Sequence, residues 1–218
     1  MPDDPSMIPF IPFAPVETAE AAAARFYEIS NRRRTVREYS DRAVSREVIE
    51  SILLAAGTAP SGAHKQPWRF IAISNPEMKR KVRIEIEKIE TEFYEKRASD
   101  RWLDDLEEFE TTADKSYMDK APWIIVVMAL RKTDDGGQVY YLNESVGLAA
   151  GMLLTAANMA GLSTVTQTPS PMGFLRELLG RPEHERPYLV IPVGYAADDC
   201  RVPDLERKSL RGIAVFEE

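Results

Sequence analysis

Residues 123–129 read Trp-Ile-Ile-Val-Val-Met-Ala (WIIVVMA), an apolar run of strand length with no polar residue to mark a solvent face. A strand with one wet face alternates apolar and polar side chains, so an unbroken run predicts a central strand covered on both sides. Working outward, WRFIAI at Trp68–Ile73 and YLVIPVG at Tyr188–Gly194 read as further strands, and Ser163–Thr166 as a short one. Glu17–Ser30 is an alanine-rich helix, and Ser45–Gly57 places Val48, Ile49, Ile52, Leu53 and Ala56 at helical spacing. Asn75-Pro76-Glu77 starts another helix with a capping residue, a first-turn proline and an acid near the positive dipole end. Its apolar stripe is Val82, Ile86, Ile89 and Phe93. The span Asp100–Lys120 reads as a charged helical stretch anchored by Trp102, Leu106 and Phe109. Val146–Leu162 is a small-residue helix ended by Gly161, and Ser170-Pro171 opens a further helix closed by Gly180. The tail Ile213–Phe216 looks strand-like. Alternating elements without internal repeats predict one layered domain of the α/β or α+β class.

At 218 residues, with 44% hydrophobic and 29% charged residues, the chain can bury a sizeable core without disulfides or metals. A net charge of −7 argues against nucleic acid as the main partner, because phosphate neutralisation needs a basic face. Its two histidines, His64 and His184, lie far apart, and with no CxxC or HExxH no metal site is expected. The one cysteine, Cys200, fits a reducing compartment. The proline-rich, acidic N-terminus (residues 1–16) reads as an extended arm, not a signal peptide. Residues 146–162 are too short and too rich in small and polar residues for a membrane span, so a buried helix is expected there.

Four constellations carry chemistry. Arg32-Arg33-Arg34-Thr35-Val36-Arg37 is a basic cluster which, in an acidic protein, suits one small anion such as a phosphate; taken alone it also reads as a solvated face. Gly57–His64 (GTAPSGAH) is built from small residues that let a flat ligand approach the backbone, or is an ordinary helix-to-strand turn. Thr164–Pro169 (TVTQTP) sets threonine hydroxyls just beyond a strand end, though β propensity alone explains such a run. Glu90 and Tyr94 sit one turn apart beside the stripe of their helix, roughly 80–120° from its centre at about 100° per residue. With Lys115 they form an acid, a phenol and a cation able to hold the ammonium and carboxylate of a free amino acid, a trio that any long charged helix can also offer by chance. No GxGxxG follows a strand and no GxxxxGK[ST] is present, so neither a Rossmann site nor a P-loop is indicated.

Together, RRTVR, GTAPSGAH, the Glu90/Tyr94/Lys115 trio, TQTP, LLGRPEHE, PVGY and VPDLERK resemble, in order and spacing, the nitroreductase-like flavoproteins. Within them the chain is similar to the iodotyrosine deiodinase family over nearly its whole length, from about Phe26 to Val215. The resemblance implies an α+β, three-layer domain with a central mixed sheet flanked by helices, paired as a domain-swapped homodimer. That domain would span 17–218, with a substrate lid at about 85–118. It implies FMN as cofactor, with Arg33, Arg34, Thr35, Arg37 and Arg207 gripping the phosphate and ribityl chain. Ser61 and Gly62 would reach the flavin across the dimer interface. Thr166, Gln167 and Thr168 would line the ring, the Thr168 hydroxyl facing N5. The Ala63 amide would meet the substrate phenolate, and Glu90, Tyr94 and Lys115 would close over the zwitterion. The implied reaction is reductive dehalogenation of iodo-, bromo- or chlorotyrosine to tyrosine and halide, fed by an external donor, NAD(P)H or a reductase. The alternative is a general NAD(P)H-dependent nitroreductase or quinone reductase. Mammalian members of the family carry an N-terminal membrane anchor that this sequence does not show, so a soluble, cytoplasmic, bacterial-type form is expected.

Overall fold

Strand β2 (Trp123–Leu130) has a hydrogen-bonded neighbour on each side and is buried over all but its first residue, as the apolar run predicts. The structure, a computed structural model, describes residues 7–109 and 111–218. With β1 (Trp68–Ile73), β3 (Ser163–Thr164) and β4 (Glu185–Gly194), it forms a four-stranded sheet in the order β1-β2-β4-β3. Neighbouring strands run antiparallel, and the parallel element of the sheet is a bridge between Thr35 and Thr164.

Alternate side chains of β2 feed two cores. Ile125, Val127 and Ala129 pack with Ile49, Ile52 and Ala56 of α2 (Arg46–Gly57) and with Val146, Leu153 and Ala157 of α6 (Leu142–Met159). Ile124, Val126 and Met128 pack on the other face with Val82 and Ile86 of α3 (Pro76–Glu92), Met118 of α5 (Tyr117–Lys120) and Leu175 of α7 (Gly173–Leu178). The result is three layers, helix on sheet on helix. The remaining helices are α1 (Ala19–Asn31), α4 (Asp100–Glu107) and α8 (Leu210–Ile213). The chain divides into two compact units, Met1–Arg33 and Arg34–Glu218. In the first, residues 7–16 form no regular structure; Thr18 caps α1 by accepting from the Ala21 amide at 3.3 Å. Residues 1–6 of the expected arm lie outside the described residues.

Four expected elements differ from what is observed. The strand expected at Ser163–Thr166 pairs only through Thr164. In the same register Val165 would face Pro192, which has no N–H to offer; the Pro192 carbonyl instead accepts from Tyr39 Oη at 3.1 Å. The chain rejoins β4 at Gln167, whose amide and carbonyl both pair with Val190. The stretch expected to be helical over Asp100–Lys120 is two helices, because Asp114 turns its carboxylate back onto the Ser116 amide at 2.8 Å and breaks the helical ladder there. The helix expected from Ser170-Pro171 opens at Gly173, since the Ser170 carbonyl is held by Arg97 at 2.7 Å in the preceding loop. The tail expected as a strand contains α8 and then exposed Val215 and Phe216, with no strand beside them among the described residues.

Glu185 opens β4 with no solvent exposure and receives Arg181 on both oxygens at 2.7 and 2.8 Å, with Arg69 of β1 at 3.3 Å. The Arg181 hydrogen bonds hold its carboxyl below the usual carboxylate range, against the burial that pushes it up. A depressed carboxyl pKa contributes stability above its unfolded value and loses it as pH falls through the folded one. Arg181→Ala should therefore cost about 1–3 kcal/mol near neutrality, because it leaves the buried carboxylate to Arg69 alone. The deficit should narrow as pH drops below about 4.3, where the unfolded carboxyl titrates. Thermal melts of both proteins across pH check this, and a deficit independent of pH would refute it.

Candidate active site

Helix α3 is amphipathic on two counts: one stripe enters the core, and a polar line beside it holds the next segment in place. Buried Lys79 donates its ammonium to the carbonyls of Asp119 and Ala121 at 3.0 and 2.5 Å, pinning the end of α5. Burial pushes the Lys79 ammonium below its ordinary pKa. One turn on, Arg83 pairs with Glu87 at 2.6 Å and with Asp119 at 3.0 Å. The free Glu87 oxygen accepts from the backbone amide of Lys115 at 2.8 Å. These contacts stitch α3 to the 112–120 segment and fix where Lys115 points.

It points at Glu90. The Lys115 ammonium lies 3.2 Å from the Glu90 carboxylate, donates to the Thr112 carbonyl and sits 5.9 Å from the centre of the Tyr94 ring. The Tyr94 hydroxyl donates to Thr111 at 3.1 Å. Lys115 is 7% exposed, so its charge is held out of water by these partners. Lys115 thus meets both of the residues expected to act with it, although 20 residues separate it from Tyr94 in the chain.

They line one end of a cavity of about 600 Å³. Phe93, Trp102 and Leu106, from the end of α3 and from α4, wall one side, and Arg37, Tyr117, Val165–Ser170 and Met172 close the other. Trp102 is half exposed and stacks edge-on with Phe93 at 4.9 Å, so it serves the cavity wall and not the core anchor expected of it. Along the extended segment beyond β3, Val165 and Gln167 are buried while Thr166 and Thr168 alternate outward into the cavity. The Gln167 side chain donates from Nε2 to Tyr117 Oη at 2.9 Å, and its Oε1 is buried without a protein partner. Burial pushes the Tyr117 phenol far above its ordinary range, with Arg37 pulling the other way, so it stays protonated at neutral pH.

The other expected residues are distributed as follows. Arg37 reaches the cavity. Arg34 donates to the Pro203 carbonyl, and Glu38 holds the amides of Ala197 and Arg201. The segment leading to Arg207 therefore runs beside Arg34–Glu38, while Arg207 itself is exposed. Thr35 bridges β3 through Thr164. Arg33 is the last residue of the first unit. Ser61, Gly62 and Ala63 do not line the cavity. Their loop is strained: Ala63, His64 and Gln66 have φ of 50°, 54° and 47°. Ser61 Oγ accepts from the Gln66 amide at 2.9 Å, and a Cβ on Gly62 would stand 2.8 Å from the Tyr141 ring, so glycine is required there. Among the described residues no cluster of potential metal ligands exists, and no helix is long and apolar enough to cross a membrane.

Residues 31–195 match the nitroreductase family. The chain belongs to the nitroreductase family. Within it the similarity is to iodotyrosine deiodinases: 48% identity to that of Haliscomenobacter hydrossis, covering 99% of both chains, and 45% to iodotyrosine deiodinase 1 of Mus musculus, covering 94% of this chain and 75% of the mouse one. A crystal structure of an oxidized iodotyrosine deiodinase bound to FMN and 3-iodo-L-tyrosine superposes with a TM-score of 0.77 at 29% identity, covering 88% of this chain and 100% of that one. Tyr117, Thr111 and the Glu87 tether escaped the sequence reading, which placed Phe93 in the α3 stripe and not in the cavity wall. Nothing but proximity in three dimensions singles them out, although Glu87 stands one helical turn before the trio's own Glu90.

Glu87→Ala should leave the buried Lys115 amide without its acceptor, at a cost of about 1–3 kcal/mol. Amide exchange in residues 112–118 should accelerate accordingly, with the β2 core unaffected. Unchanged exchange there would show that the tether does not hold the segment.

Proposed function

We propose that this protein is an FMN-dependent oxidoreductase that removes halogen reductively from halotyrosines, giving tyrosine and halide. The observation that carries the reading is that one cavity joins an amino-acid clamp to a threonine-lined loop and an arginine. Its size falls within the roughly 300–1,000 Å³ of small-molecule sites. The cofactor fits what is present: Arg37 offers a charge for an anionic group, two outward threonine hydroxyls offer donors for a polar ring edge, and the Gln167 side-chain Oε1 is buried without a donor. On the family resemblance, Arg33, Arg34, Thr35, Arg37 and Arg207 would hold the phosphate and ribityl chain, and Thr166, Gln167 and Thr168 the ring; the solved relative was crystallised with FMN bound.

When bound and reduced, FMN supplies the two electrons that, with one proton, replace the carbon–halogen bond by carbon–hydrogen. The chain's own residues do the positioning. A zwitterion entering between Glu90 and Lys115 exchanges one ion pair for two, ammonium on Glu90 and carboxylate on Lys115, so no charge is left bare. Tyr94 and its Thr111 partner cover this end and exclude water. Ala63, through its amide, is assigned to the substrate's phenol oxygen. Thr168, through its hydroxyl, is assigned to the flavin edge at which electrons leave. The named contacts address the zwitterion and the phenol, not the halogen, so bromo- and chlorotyrosine fall within the same reading.

Ser61–Ala63 lie outside the single-chain cavity, which supports a homodimer in which each chain completes the other's site. Exposed Leu54, Leu148 and Met159 on α2 and α6, and Leu210, Ile213, Val215 and Phe216 in the tail, supply apolar surface for it. The free thiol of Cys200 supports a reducing, cytoplasmic setting, and the electron donor is external, NAD(P)H or a reductase.

Lys115→Ala and Glu90→Gln should each raise the KM for 3-iodotyrosine about 10–100-fold, the worth of one charge-assisted hydrogen bond, with FMN content unchanged. Steady-state kinetics alongside flavin extraction measure both. The comparison that tests the reading is 3-iodotyrosine against 2-iodophenol. Equal efficiency on the two would sink the clamp and favour a general nitroreductase or quinone reductase.

A further inference from the structure

The last turn of the lid helix is a π turn, Phe93–Arg97, closed by the Ala98 amide on the Phe93 carbonyl at 2.8 Å. Such turns widen a helix and recur where a side chain must be re-aimed. Here the side chain is Arg97. Its guanidinium donates back to the Ile89 carbonyl at 3.3 Å, beside Glu90, and forward to the Ser170 carbonyl at 2.7 Å. It also lies 5.7 Å from the centre of the Phe93 ring, which walls the cavity. Ser170 ends the segment that carries Thr166 and Thr168. One planar cation therefore joins the helix bearing Glu90 and Tyr94 to the loop bearing the outward threonines.

We infer that Arg97 is a positioning residue that couples occupation of the amino-acid clamp to the placement of the Thr168 loop. The inference rests on the clamp reading above and adds a communication step to it. A zwitterion on Glu90 and Lys115 fixes the last turns of α3 and the π turn after them. Arg97 then fixes the Ser170 carbonyl, two residues from Thr168. A substrate held at one end of the cavity thereby orders the hydroxyl at the other, and an aromatic without the amino-acid group does not. Both hydrogen bonds leave one terminal nitrogen of Arg97, so a lysine ammonium on a shorter stem replaces them only in part and loses the guanidinium's approach to Phe93.

The experiment is hydrogen–deuterium exchange on oxidised, FMN-loaded protein with and without 3-iodotyrosine, which stays intact when no electrons are supplied. In the wild type the ligand should slow exchange about fivefold or more both in residues 85–97 and in residues 166–170, the scale of ordinary site-to-site coupling. In Arg97→Ala the lid should still respond and the loop should respond much less; Arg97→Lys should fall between. The turnover number of the alanine variant should drop more than its KM rises. A loop response in Arg97→Ala equal to wild type would overturn the coupling alone. If Arg97→Ala does not fold or hold FMN, the lysine variant and the wild-type loop response decide, and a wild-type loop indifferent to ligand overturns the proposal. Absence of any response in either segment of the wild type would overturn the clamp reading and the coupling together.

Discussion

A buried ammonium must be surrounded by acceptors, and the Lys115 ammonium is the charge around which this site is organised. Left unpaired, it would be more costly than most single contacts in the fold are worth. Glu90, the Thr112 carbonyl and the Tyr94 ring face meet that demand. The polar line on α3 exists to bring them together: Lys79, Arg83 and Glu87 tie the 112–120 segment to the helix at successive turns. The pairing is also what makes the site responsive. A ligand with both an ammonium and a carboxylate can enter the pair without unbalancing it, whereas a simple phenol would have to leave it closed.

The second constraint is Pro192. A proline in an internal strand withholds one N–H, so the neighbouring chain leaves the ladder at Val165 and returns at Gln167. That short departure turns Thr166 and Thr168 into the cavity and seats Gln167 against Tyr117. The sheet thus does more than support the site. The gap in its hydrogen bonding sets the direction of the two threonines.

Much of this was legible in the chain. The run 123–129 announced a strand buried on both faces, the cap at Asn75 marked the start of α3, and the apolar spacing of Ser45–Gly57 outlined α2. Placing Glu90 and Tyr94 beside the apolar stripe put them at the boundary between core and solvent, where they stand. What could not be read depends on contacts distant in sequence. Arg97 claiming the Ser170 carbonyl and Pro192 interrupting β3 each involve a local pattern overruled by a partner elsewhere, whereas the Asp114 break is a local turn that the charged run around it hid. The tail shows the converse: β-like residues with no strand beside them among the described residues remain exposed. The roles given to Arg33, Ser61, Gly62, Ala63 and Arg207 rest on family resemblance, with the strained loop at Ala63 as the local sign that its backbone is set for a purpose beyond the turn.

The central claim is that the two ends of one cavity act on one molecule, so that electrons delivered at the threonine loop break a carbon–halogen bond in an amino acid held by the clamp. Its most direct test is a single anaerobic turnover of photoreduced, FMN-loaded protein mixed with one equivalent of 3-iodotyrosine, following flavin oxidation, iodide and tyrosine together. One iodide and one tyrosine formed for each FMN reoxidised is the result this account predicts. Flavin that stays reduced, or reoxidises without release of iodide, would contradict it.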